Sequence, residues 1–190
     1  MKKKSQSSPP YFDNCPICEA MRDAEKHGKS LSAAELHDAF NRANSRDSKT
    51  YVLEIRLMHT KNISRTIAVP SSLSLYQLAE AIVGAYKFDF DHAFGFFSTV
   101  GDDYYKSESS YELFTDMVAE GEDIEPTGAG SVKTTYLNEV WEKQGDRMLF
   151  LFDYGDNWQF SVTLVAIGNK GPSSPKPLLL KSEGRAPKQY

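Results

Sequence analysis

Cysteine is nearly absent from this chain. Its 190 residues hold two, Cys15 and Cys18, in a single Cys15-Pro16-Ile17-Cys18 run. Thiols that close in sequence cannot staple distant parts of a fold, so a structural disulfide framework is excluded, as suits a reducing cytoplasm. Long apolar runs are missing too: nothing approaches the ~20 apolar residues that cross a bilayer. Met1-Lys2-Lys3-Lys4 has the charge of a signal peptide's first part, but no apolar segment follows it. The expectation is a cytoplasmic protein with no membrane partner. Nor is there an excess of positive charge. The net charge is −4, so the overall balance does not support a partner gripped through nucleic-acid phosphates. Lys2–Lys4 and the lysines between Lys170 and Lys188 are the only support for one. Finally, there is no Walker loop, no Gly-x-Ser-x-Gly and no His-Glu-x-x-His.

What is present is an ordinary globular balance, 40% hydrophobic and 25% charged, with 12% aromatic residues concentrated in the C-terminal two-thirds. Residues 1–12 are Lys, Ser, Gln and Pro-rich and read as a disordered arm. Residues 13–44 read as a helical hairpin. Pro16 suits the first turn of a helix running to about His27, and Gly28 ends it. Ser32 and Glu35 then form a capping box, with Leu31 and Leu36 at the staple positions.

From residue 50 the pattern changes. Tyr51, Leu53, Ile55 and Leu57 alternate with polar residues, as in a strand with one buried face. A turn at His59–Asn62 leads to a second strand through Ile63, Ile67 and Val69 that Pro70 stops. Ser74 and Gln77 make another capping box. Leu75, Leu78, Ala79, Ile82, Val83 and Tyr86 follow at helical spacing, so this stripe belongs on a sheet. Ala93–Thr99 reads as a third strand. Residues 101–125 are acidic, with a helix expected at Tyr111–Ala119, a short strand at Val132–Leu137 and a helical turn at Asn138–Glu142. Met148–Phe152 is apolar on both faces, like a central strand. Asp153–Asn157 has turn chemistry, with Gly155 expected in the left-handed position, and Trp158, Phe160, Val162 and Leu164 alternate beyond it. After Gly168 the chain reads as a Pro, Lys and Ser-rich tail. These elements predict an α+β fold: a β-grasp-like mixed sheet with a packed helix, a terminal antiparallel hairpin and an N-terminal helical hairpin.

The run from Phe150 to Phe160, with Asp153-Tyr154-Gly155-Asp156-Asn157-Trp158 at its heart, resembles the hairpin signature of the plasmid pRiA ORF-three-like family. Arg65-Thr66-Ile67-Ala68-Val69-Pro70, the helix from Ser74 to Tyr86, Asp91-His92-Ala93-Phe94, and the ending from Gly184 through Pro187, Gln189 and Tyr190 are similar to its other landmarks. The resemblance covers residues 50–190. Ser64 stands where the family usually has Trp, and Lys87-Phe88 where it has Gly-Trp. The resemblance implies an α+β domain related to the β-grasp, found on plasmids, mobile elements and chromosomes. It implies no activity.

Three sets of residues carry candidate chemistry. The Cys-Pro-x-Cys turn suits two thiolates on one tetrahedral zinc. His27 and His37 would complete that site, or two chains would share one metal through four cysteines. A redox pair needs a preceding strand that the sequence lacks, and two plain reduced thiols remain the structural reading. Asp153 and Asp156 would bind a divalent cation with His92, Asp102 and Asp103 if the fold gathers them. As turn residues they need no such partner. His92, Asp153, Asp156 and Trp158 therefore mark a second candidate surface, where Trp158, like Trp141, either stacks on a ligand or packs in the core. His92 reads as donating to a backbone carbonyl. The leading expectation is a binding module for a protein partner or a second copy of itself, without catalysis. The alternatives are a metal-assisted hydrolase of nucleic acids or phosphoesters, and a DNA-binding accessory protein.

Overall fold

The computed structural model describes residues 16–33, 35–36, 49–60, 62–168 and 176–189. They belong to two compact units, Met1–Asp47 and Ser48–Tyr190.

In the first unit, α1 spans Pro16–Lys26. Pro16 stands at the first helical position, where its missing N–H costs nothing. Gly28 adopts φ 62°, and the N–H groups of Gly28 and Lys29 return to the carbonyls of Glu25 and Ala24, which satisfies the helix end. Four residues later the predicted capping box forms: the Glu35 N–H reaches Ser32 Oγ, and the Ser32 N–H reaches Glu35 Oε2 at 2.9 Å. The rest of that second helix, the predicted arm, Cys15 and His37 lie outside the described residues. So do the side chains of residues 16–19, Cys18 among them.

The second unit is built on an eight-stranded sheet. β1 (Thr50–Leu57) and β2 (Ser64–Pro70) form an antiparallel hairpin. The helix α2 (Leu75–Tyr86) follows, capped by Ser74 and Gln77 as its sequence demands. β3 (Phe94–Phe97) leads through a 3-10 turn at Tyr104–Lys106 to β4 (Ser110–Glu112) and the short helix α3 (Leu113–Ala119). β5 (Gly130–Ser131) and one helical turn, α4 (Leu137–Val140), precede β6 (Arg147–Phe152), β7 (Trp158–Gly168) and β8 (Leu178–Glu183). The order across the sheet is β5-β4-β3-β6-β7-β1-β2-β8. Only β4 and β5 run parallel, and β1 pairs β7 antiparallel at the centre. This is an α+β fold with a mixed, mostly antiparallel sheet, a packed helix and a long closing hairpin.

Each strand's alternation decides its faces. Leu53, Ile55, Phe94, Phe96, Phe150, Phe160 and Val162 are wholly buried on the side that α2 covers with Leu75, Leu78, Ala79, Ile82, Val83 and Tyr86. Burying each of the larger side chains contributes about 1.5–3 kcal/mol before entropy is counted. The Tyr86 hydroxyl donates to the Ile55 carbonyl at 3.0 Å, and burial pushes that phenol up to about 12 although Arg65 pulls the other way. The opposite face carries a smaller cluster of Phe97, Leu149 and Leu151, joined by Met58, Val100, Tyr104 and Tyr154.

Three local expectations differ from the structure. Tyr111 and Glu112 lie in β4, so the acidic-segment helix begins at Leu113. The short strand falls at Gly130–Ser131 rather than Val132–Leu137. The chain turns away there because the Asp116 carboxylate accepts from Val132 N and Lys133 N and from Ser131 Oγ. Third, the expected tail contains β8, which pairs with β2.

Candidate functional site

The β6–β7 turn is held by its own polar groups. Asp153 Oδ1 accepts from the N–H of Gly155 at 2.9 Å and of Asp156 at 3.2 Å. The Asn157 N–H closes the turn on the Asp153 carbonyl at 2.7 Å. The left-handed positions are Asp153 (φ 57°) and Asn157 (φ 56°), and Gly155 is not among them. Asp and Asn tolerate that region better than other side chains, so the motif's acidic and amide residues supply the bend expected of its glycine. Asp153 is buried and Asp156 exposed.

His92 stands beside this turn. Its Nδ1 lies 2.8 Å from Asp91 Oδ1, and its Nε2 lies 3.6 Å from Asp153 Oδ2. Both of these contacts are to carboxylates. The hydrogen bond to Asp91, aided by the Asp153 and Asp91 charges, raises the imidazole pKa above its ordinary value. Gln189 joins the corner. Its Oε1 accepts from the Asp89 N–H at 2.6 Å, and its Nε2 donates to the Asp89 carbonyl and to Asp91 Oδ1. Asp91 of the Asp-His landmark and Gln189 of the C-terminal one, 98 residues apart, therefore meet in space.

The remaining members of the predicted set are elsewhere. Asp102 lies 3.7 Å from His59 Nε2. Asp103 accepts from Lys106 Nζ and the Tyr105 hydroxyl. Among the described residues no three His, Cys, Asp or Glu side chains gather as a metal site. In the first unit, His27 Nδ1 lies 2.7 Å from the Asp23 carbonyl. Trp158 is half-buried, packing edge-on against Phe88 at 5.0 Å between centroids. Trp141 is fully buried. The indole N–H of each finds no hydrogen-bond partner among the described residues.

Two features on the β8 side were missed in the sequence. Leu178, Leu179 and Leu180 are 57%, 48% and 51% exposed, on a strand that among the described residues bonds to β2 alone. Between β8 and α2 lies a groove of about 600 Å³, lined by Ile67, Leu73, Ala81, Ala85 and Leu179 with Glu80 at its margin. Ala85 and Leu179 also line a second cleft, of about 670 Å³. That cleft holds Arg65, which is 5% exposed. Arg65 Nε donates to the Ala85 carbonyl, and Nη1 to the carbonyls of Ser64, Glu183 and Gly184. The guanidinium also stands 4.8 Å from the Tyr86 ring centre. Arg65 thereby ties β8 and the residues after it to α2. The signal that could have found this is the Arg-x-Ile-x-Val-Pro strand itself: an arginine on the buried side of an alternating strand needs partners.

Comparison with known proteins agrees with this architecture. A crystal structure of a protein of unknown function from Methanosarcina mazei Go1 superposes with a TM-score of 0.59 and 24% sequence identity, over 76% of this chain and 75% of that one. The likeness is one of fold. No curated protein matches the sequence. Residues 49–189 match the family described as plasmid pRiA4b ORF-3-like protein, which takes in the β1–β2 hairpin, the Arg65 strand, the Asp153 turn and the Gln189 anchor. The chain belongs to the plasmid pRiA4b ORF-3-like family.

Proposed function

We propose that this protein is a non-enzymatic binding module that takes an extended segment of a partner protein along the outer edge of β8. The observation that carries this reading is the strand's character. β8 spends its backbone groups on one neighbour, leaving the other edge unpaired among the described residues, and its first three residues are half-exposed leucines. Soluble proteins normally blunt such an edge with charge, proline or a covering element. An exposed edge that opens on three leucines, before Lys181, Ser182 and Glu183, suits β-addition, in which main-chain hydrogen bonds give affinity and alternate side chains enter a pocket. The groove between β8 and α2 supplies that pocket, with Leu179 on its wall. An extended chain matches a row of unpaired N–H and C=O groups better than a folded surface does, which favours a segment over a globular partner.

The test starts from a photo-crosslinking residue placed at Leu179 in cells, with the attached fragment sequenced and then synthesised. The synthetic fragment should bind the purified chain and slow hydrogen exchange at the β8 amides. Binding should be lost in Leu178→Lys/Leu180→Lys. A synthetic fragment that does not bind, protection located away from β8, or capture only of a second copy of this chain would each overturn the reading.

A further inference from the structure

The cleft at the end of β8 points to a second ligand, by an observation independent of the exposed leucines. Four cations line it, Arg65, Lys87, Arg185 and Lys188, against one carboxylate, Asp89. This local excess sits on a chain whose net charge is −4. None of the four forms an ion pair with a described residue. Arg65 is the decisive member. It is 5% exposed, and its contacts are carbonyl oxygens and an aromatic face. Buried charges are ordinarily balanced by an opposite charge. Among the described residues no carboxylate does so, and Nη2 has no hydrogen-bond partner.

We infer that this cleft is an anion site that takes the terminal phosphate of a small phosphate ester. Nε and Nη1 are occupied, so Arg65 offers its remaining edge, while the exposed cations Lys87, Arg185 and Lys188 line the same cleft. Guanidinium and ammonium groups of this kind are the usual cradle for phosphate oxygens. An excess of three positive charges matches a dianionic phosphate better than a singly charged carboxylate. A volume of about 670 Å³ suits a ligand of small-molecule size. Arg65 lines the cleft while only 5% exposed, which favours a terminal phosphate entering it over a phosphodiester backbone passing across the surface. Gly184 keeps the wall in place: it adopts φ 67°, and a Cβ there would stand 2.4 Å from the Asn62 carbonyl oxygen.

The test is an NMR titration of the full chain with inorganic phosphate, holding ionic strength constant with chloride, with acetate and a short DNA duplex as separate arms. Phosphate should move the amide resonances of Lys87, Gly184, Arg185 and Lys188 saturably. Arg185→Glu/Lys188→Glu reverses two exposed charges without touching the buried Arg65. It should weaken binding at least about tenfold, as expected from removing and reversing close charges, with the remaining spectrum unchanged. Shifts no larger than those from chloride alone would overturn the site. Equal saturation by acetate would overturn its assignment to phosphate, and a response confined to the duplex would replace a small ester with a nucleic-acid backbone. These outcomes are read apart from the β8 crosslinking result, so either proposal stands or falls alone.

Discussion

The two edges of the sheet are finished in opposite ways. β5 is two residues long. It is pinned by the buried Asp116 carboxylate, which takes two backbone N–H groups and the Ser131 hydroxyl, while Thr115 donates to the Ala129 carbonyl just before it. Gly130 lies so close to Tyr111 that a Cβ would meet the ring at 2.6 Å. β8 is three times as long and exposed throughout. One edge has been shortened and tied by side chains, and the other has been left open with leucines upon it. A chain able to close one edge so fully has the means to close both, so the open one reads as a working surface.

Breaking the closed edge should have the largest effect. Asp116→Ala strands the N–H groups it receives, and the expected loss is about 3 kcal/mol, the range for removing a buried, multiply bonded carboxylate. Urea unfolding would measure it, and a loss below about 0.5 kcal/mol, the surface range, would mean the edge is held by something else. Next comes Gly184→Ala, which forces a side chain into left-handed backbone against the Asn62 carbonyl. A cost of about 2 kcal/mol is expected from strain alone, together with faster exchange of the β8 amides. An unchanged melting curve would show that the residues after β8 shift freely.

The open edge should respond differently. Leu178→Lys/Leu180→Lys is expected to change stability by no more than about 0.5 kcal/mol, since both side chains are already exposed. A much larger loss would show these leucines to be structural and remove the contrast between the edges. The smallest effect belongs to His92, at the corner that anchors Gln189. Its folded-state pKa is raised, chiefly by the Asp91 hydrogen bond. The stabilisation is therefore complete below the ordinary histidine pKa of about 6.5 and fades as pH climbs through the raised value. Imidazole NMR titration should show the elevated pKa, and Asp91→Asn should lower it. A wild-type pKa at or below the ordinary one would remove the coupling.

The contrast between edges also marks what the sequence could reveal. Every residue of the stripe Leu75, Leu78, Ala79, Ile82, Val83 and Tyr86 is buried, and the Ser74–Gln77 box is formed. Local periodicity and capping chemistry carry that information in a dozen residues. β6 reads correctly because Met148–Phe152 is apolar on both faces and both faces are covered. β8 was hidden for the opposite reason. All six of its residues are exposed, so no alternation betrays a buried face, and its pairing partner lies more than a hundred residues away. The cationic cleft was hidden too, since residues 65, 87, 185 and 188 meet only after folding. At the candidate site, His92 and Asp153 were partners only if the fold gathered them, and the turn signature by itself does not place His92 Nε2 at 3.6 Å from Asp153 Oδ2. The divergence of Asp102 toward His59 depends on how the loop before β4 returns, which no spacing records. The cysteine reading falls on residues 15 and 37 and on a Cys18 side chain that lie outside the described structure.

Arg65 has a consequence for the order in which the molecule assembles. Its carbonyl partners at Glu183 and Gly184 lie 118 and 119 residues further along the chain. Contacts across that span form late, because a long loop must close before they give any return. Until then the guanidinium must remain hydrated at the rim of α2, so the helix cannot settle fully onto β2. Once β8 arrives, peeling it away breaks the Arg65 bonds to the Glu183 and Gly184 carbonyls together. The outer strand should therefore open as a single cooperative unit with the residues after it, rather than fray from its end.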